Sequence, residues 1–175
     1  MTTHRPSRPS TLENFVLVVT MKGRPLALPR ARFVPGRGGV PVSVTGAAKH
    51  YAEALQARAR AAVLNAGERR LQQAFAGQAV AVAALWQFQT DLQDTWGKPH
   101  MGKPDTDNLG KLVLDCLQKA GALGGDDCRV AHFVGQKLWS NHSAVTLTVA
   151  LFNEDWWGVF MKEAKQGPKP EWLTP

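Results

Sequence analysis

KPDTDNLGKLVLDCL, residues 103–117, changes character after its opening residues. Pro104 biases Lys103 toward extended backbone, so the segment enters as strand or loop. Asp105 and Asp107 are two apart and share one side of that extended run. From Asp107 the period changes: Leu109, Leu112, Val113, Cys116, Leu117 and Ala120 recur at i, i+3, i+4 and i+7, which predicts a helix with one apolar face. Gly121 follows where helices commonly stop. On the polar side Asp107, Lys111 and Asp115 stack at four-residue intervals. Leu114 points the same way, and sequence supplies no partner for it.

Working outward, the same region is unusually acidic. Five of the chain's 14 acidic residues lie between 105 and 127: Asp105, Asp107, Asp115, Asp126 and Asp127. The whole chain carries +7, so this is an acidic island in a basic molecule, the pattern of a metal site facing a polyanion. Converging carboxylates raise one another's pKa unless they share a cation. Magnesium suits them, because it takes carboxylate oxygens and keeps waters for substrate phosphates. Taken singly, each feature also has a plain reading: Asp107 as an N-cap, the four-residue ladder as a solvated helix face, Asp126-Asp127 after Gly124-Gly125 as a turn.

KPDTDNLGKLVLDCL followed by GG-DD-CRV resembles the central signature of the RusA-type Holliday junction resolvases, small dimeric endonucleases. The family pattern is roughly K-P-D-x-D-N-x-x-K, an Asp within the helix, and D-D after a short loop; Lys103, Asp105, Asp107, Asn108, Lys111, Asp115, Asp126 and Asp127 match it. The resemblance implies a magnesium-dependent nuclease, with manganese as the alternative ion, whose essential carboxylates are Asp105, Asp107 and Asp127 and which also needs Lys111. Asp126 joins the metal ligands; Asp115 and Asn108 support them from behind. Family members often carry an aromatic just before the D-D, whereas this chain has Leu123-Gly124-Gly125, which implies a more flexible second acidic loop. Pro29-Arg30-Ala31-Arg32-Phe33 is similar to the family's K-P-R-x-R segment and implies phosphate contact by Arg30 and Arg32, with Arg37 on a loop tip.

At 175 residues and 44% hydrophobic content the chain predicts one domain with a real core. Residues 1–70 hold 12 Lys/Arg against three Asp/Glu, and residues 71–175 hold nine against 11. A basic half attracts phosphates while the carboxylates hold the metal. Cys116 and Cys128 form no C-x-x-C and read as reduced core residues. The absence of an 18-residue apolar run or a signal-peptide h-region predicts a soluble, cytoplasmic protein with no membrane partner.

Residues 1–13 lack periodicity and read as a flexible arm. A strand is expected from Phe15 to about Met21, an Ala-rich helix from Ala47 to Leu64 that resumes briefly through Gln73, and a strand over Gln78–Gln89. Thr90–Lys103 reads as a loop on which Trp96 can stack on bases and Lys98 and Lys103 can meet phosphates. Arg129–Trp139 and Ser143–Phe152 read as a β-hairpin turning at 140–142. Trp156, Trp157, Phe160 and Trp172 mark a C-terminal tail suited to a subunit interface or a sheet edge.

The expected fold is α/β (α+β): a single compact RusA-like domain over residues 14–153, a mixed four- to five-stranded sheet with two helices, between an arm (1–13) and a tail (154–175). The expected activity is paired symmetric nicking of a four-way DNA junction by a homodimer, in recombination and repair. The rivals are a non-catalytic branched-DNA-binding protein, which leaves the acidic island unexplained, and a nucleotide-sugar transferase using Asp105-Thr106-Asp107, for which no nucleotide-binding βαβ region is evident.

Overall fold

In the computed structural model residues 16–27 and 46–152 are described. Four strands form one mixed sheet: β1 (Val16–Lys22), β2 (Val80–Gln89), β3 (Val130–Ser140) and β4 (Ala144–Leu151). Their spatial order is β1-β4-β2-β3. β4 is antiparallel to both its neighbours, while β2 and β3 run parallel. Three helices accompany the sheet, α1 (Gly46–Ala66), α2 (Glu68–Phe75) and α3 (Thr106–Lys119). This is the mixed sheet and α+β class the sequence predicts. The helical run through Gln73 proves to be a separate helix, because Gly67 at φ 86 stops α1 and Arg60 and Glu68 clamp the corner with two hydrogen bonds of 2.6 and 3.0 Å.

The alternating pattern of each strand decides which face is covered. Leu17, Val19 and Met21 of β1, Val82, Ala84, Trp86 and Phe88 of β2, and Val145, Leu147 and Val149 of β4 share one core with all three helices. The opposite side chains of β1, Val16 and Val18, are more than half exposed. β2 is apolar almost throughout, as a central strand requires.

That centrality corrects the predicted hairpin. β3 and β4 are consecutive in sequence, yet β2 lies between them. Residues 141–143 step over the end of β2, where the Gln89 N–H donates to Ser143 Oγ at 3.0 Å. The β2–β3 pair is instead a parallel unit joined through α3, a connection that needs a crossover segment of this length. The outer edge of β3 is covered at its far end by residues 97–100. Gly97 N–H donates to Trp139 O, Trp139 N–H to Lys98 O, and His100 N–H to Lys137 O, all at 2.9–3.0 Å.

α3 buries Leu109, Leu112, Val113, Cys116 and Leu117, with Ala120 just beyond it. Leu114 is half-buried and packs on the same core. α3 meets α1 on one side and β3 on another, so its buried arc is wider than one stripe. Cys116 is a core residue as expected; its thiol donates to Ala52 O and burial pushes its pKa up to about 11. Cys128 departs from expectation and is exposed, because the turn carrying it stands off the core. Among the described residues no helix is long and apolar enough to cross a membrane. The arm, the tail and the basic segment with Arg30, Arg32 and Arg37 lie outside the described residues.

Candidate functional site

The helix that carries the acidic row begins one residue earlier than its sequence suggests. Asp105, at φ −70 and ψ 146, takes the N-cap position and Asp107 sits in the first turn. The Asp105 backbone carbonyl accepts from Leu109 N–H at 3.1 Å, but its carboxylate makes no capping bond. An Asp at an N-cap ordinarily uses its side chain to satisfy an orphan N–H. Here the carboxylate is exposed and leaves that work undone. Asp107 and Lys111 are exposed and Asp115 is half-buried, one above another along α3 at four-residue spacing. Asn108 is half-buried beside Asp107.

The entry to this helix is fixed from the sheet. Lys137 of β3 donates from Nζ to the carbonyls of Gly102 (2.7 Å) and Pro104 (2.9 Å), and the Lys103–Pro104 peptide is cis. The position of Lys137, on the covered side of β3 next to α3, could be anticipated from strand alternation; its two carbonyl partners could not.

The second acidic pair sits in a short 3-10 turn, Asp127–Arg129, capped by the Asp126 side chain, which accepts from Cys128 N–H at 3.3 Å. The glycines before it do not leave it loose, contrary to expectation. Gly124 has φ +66, and a Cβ there would stand 2.7 Å from Phe75 Cβ. Arg129 folds back over Gly124 and Gly125 and donates to Gly124 O at 2.6 Å. The glycines therefore admit a close approach of backbone to α2 and to Arg129, and this loop is fastened at both ends. An Arg five positions after a Gly pair is the only signal of this in the sequence.

A side-chain interaction couples the two carboxyls of the pair. It holds Asp126 below the usual carboxylate range, helped by the Cys128 N–H. It raises Asp127, and partial desolvation and the charges of Asp126 and Asp115 add to the rise. Asp127 thus lies within electrostatic reach of both Asp126 and Asp115. Asp105 and Asp107 lie at the other end of the row from Asp115, since the eight residues from Asp107 to Asp115 rise about 12 Å along a helix. Among the described residues no three of the His, Cys, Asp and Glu side chains converge closely enough to share one ion. The expected trio of Asp105, Asp107 and Asp127 is therefore not gathered around a single point within one chain.

Each end still suits a divalent cation. Asp105 is an unused carboxylate beside a second one, and Asp126-Asp127 is a pair whose mutual repulsion a cation relieves. Magnesium is commonly held by only one or two carboxylates, with water and phosphate oxygens completing its octahedron. Replacing Asp126 by Asn should return the Asp127 titration toward the ordinary range, read by carboxyl-carbon NMR; an unmoved Asp127 would mean that the pair is not coupled. The sign for stability follows. Because the folded chain holds the Asp127 proton to higher pH than the unfolded chain does, the fold loses stability as pH rises through that window. Added magnesium should offset the loss.

Other candidate contacts ring the entry loop. Lys98 and Lys103 are exposed. Trp96 donates its indole N–H to Thr90 O at 3.1 Å, so one edge of the ring is anchored while 41% of the residue stays open to solvent. His100, in contrast, is buried. Its ring stacks on Phe88 at 4.0 Å and tilts against Trp139 at 4.3 Å. Burial, then Lys137 and Arg24, hold its pKa below the usual imidazole value, so it serves as neutral packing at neutral pH.

No curated protein matches the chain. Residues 22–150 match the family described as endodeoxyribonuclease RusA.

Proposed function

Because the chain belongs to the RusA endodeoxyribonuclease family and is thus a hydrolase acting on DNA, we propose that it resolves four-way DNA junctions by paired, symmetric nicks, as a magnesium-dependent homodimer serving recombination and repair. The observation that carries this reading is the start of α3, where the exposed carboxylates of Asp105 and Asp107 stand together and Lys111 follows one turn after Asp107.

In this reading Asp105 with Asp107, and Asp126 with Asp127, would hold the divalent ion, manganese being able to replace magnesium. A bound ion supplies Lewis acidity toward the phosphate and a water acidic enough to attack at neutral pH. Lys111 holds the scissile phosphate as a point charge. Asn108 and Asp115 keep the carboxylates oriented. Lys98, Lys103 and Trp96 meet the strand entering the site, and Arg30, Arg32 and Arg37 extend the phosphate contacts. A two-fold dimer matches the near two-fold symmetry of a four-way junction, one site to each of two opposed strands.

The direct test is a synthetic four-way junction with each strand end-labelled in turn, incubated with magnesium or with chelator. Symmetric nicks on two opposed strands, absent in chelator, are expected. A junction that is bound but left intact in both magnesium and manganese would instead favour a non-catalytic branched-DNA-binding protein.

A further inference from the structure

A cleft of about 740 Å³ opens at the end of the sheet where β1, β2 and β3 finish, a size typical of small-molecule sites, which run roughly 300–1,000 Å³. Its lining contains none of the carboxylates of α3. One wall is the aromatic group Phe88, His100 and Trp139, with ring centroids 4.0 and 4.3 Å apart. The other lining residues include Arg24, Gln89, Asp91, His142 and Ser143, one cation and one carboxylate among them. The Ser143 hydroxyl accepts from Gln89 N–H, which leaves its own proton to donate. His100 is itself buried between Phe88 and Trp139, so the accessible part of the aromatic wall is Trp139. From His100 the chain needs only five residues to reach Asp105, along the stretch that Lys137 fastens to β3.

We propose that this cleft receives one unpaired nucleotide of the DNA strand, its base against Trp139 and its phosphate toward Arg24. The wall chemistry selects this occupant. An aromatic face takes any base by stacking, neutral polar groups meet a base edge, and an exposed arginine meets an anion. Nucleotides at the centre of a branched junction are the least stacked and the cheapest to draw out. The inference rests on the reading of this chain as an enzyme of branched DNA. It adds the part that would give that enzyme a preference for where it cuts, since the chain runs from His100 in the cleft wall directly to Asp105.

The test uses the full chain in chelator, so that nothing is cut. A single-stranded DNA pentamer with 2-aminopurine at its centre is titrated into wild type, Trp139→Ala and Arg24→Ala. Wild type should quench the 2-aminopurine on binding. Trp139→Ala should weaken binding roughly 10- to 100-fold, as losing one base–aromatic stack does. Arg24→Ala, at an exposed position that leaves the fold intact, should lower the slope of log affinity against log salt by about 0.7, one phosphate contact on a single strand. Pentamer affinity within twofold of wild type in Trp139→Ala, together with an unchanged salt slope in Arg24→Ala, would overturn the proposal. The junction assay separates the two readings. A wild type that cuts junctions while both variants bind the pentamer normally loses the cleft alone. A wild type that cuts nothing yet binds through Trp139 and Arg24 keeps the cleft and loses the resolvase.

Discussion

Asp107→Asn is expected to slow junction cleavage about 10³-fold under single-turnover conditions while junction affinity changes by less than about threefold. On the proposed reading, Asn keeps the shape of the side chain but gives up the charge that would hold a divalent ion and with it several kcal/mol of transition-state stabilisation; each 1.36 kcal/mol is a factor of ten in rate. The substitution also removes the acidic residue from the first turn of α3, which costs about 0.3–1 kcal/mol of helix stability. The kinetic effect therefore exceeds the structural one by several-fold, and a thermal melt alongside the rate separates them. On the same reading binding should survive, because the proposed phosphate contacts lie on other residues and removing a negative charge does not weaken them. A rate within tenfold of wild type, with a normal melt, would exclude Asp107 from the chemistry. Asp127→Asn, measured in parallel, tells whether both ends of the row are needed.

The second large effect concerns the platform. Trp86 is fully buried in the middle of β2, and Gly135 of β3 lies against it so closely that a Cβ there would stand 2.6 Å from Cζ3 and 2.9 Å from Cη2 of the indole. Trp86→Ala should cost about 3–5 kcal/mol, the range for emptying a large aromatic site. For a chain of this size that lowers the melting temperature by roughly 6–20 °C. Gly135→Ala should cost about 1–3 kcal/mol by overpacking. The two clashing atoms belong to the outer ring of the indole, which phenylalanine lacks. In a Trp86→Phe background the same Gly135→Ala change should therefore cost less, by about 1 kcal/mol in a double-mutant cycle. The relief is partial, since Phe133 Cε1 also lies 3.2 Å from that Cβ. Strict additivity would mean that the close approach is not what fixes glycine at 135.

What the sequence could convey divides along the range of each interaction. α3 was legible because a helical stripe is a local pattern, and all six of its predicted apolar positions are buried. The strands were legible for the same reason, to within a residue or two at each end. The partner of β4 was not, because alternation says that a segment is a strand and not which strand it meets; consecutive strands are neighbours only about two-thirds of the time. Leu114 read as a polar-side residue because one stripe was assumed where two neighbours, α1 and β3, broaden the contact. Gly124 and Gly125 read as freedom, while their need comes from Phe75 on another helix and Arg129 beyond the turn. In the acidic row, the spacing of Asp107, Lys111 and Asp115 follows from the helix itself. The unused carboxylate of Asp105 and the coupling of Asp127 to Asp115 depend on where α3 starts and where the following loop returns, which no local pattern encodes.

The strand order has a consequence for the order in which the protein can be completed during synthesis. β1 is made first among the described strands, but its only described partner is β4, which is made last. β1 must therefore wait, unpaired, until the ribosome has released residues near 150. Meanwhile β2, α3 and β3 form a contiguous stretch and can assemble as soon as β3 emerges. The helix with the carboxylates thus gains its backing strands before the sheet closes, and the exposed edge of β2 stays open until β4 arrives to fill it. A nascent chain stalled before residue 144 would present that apolar edge to any other strand nearby, the situation in which chains mispair.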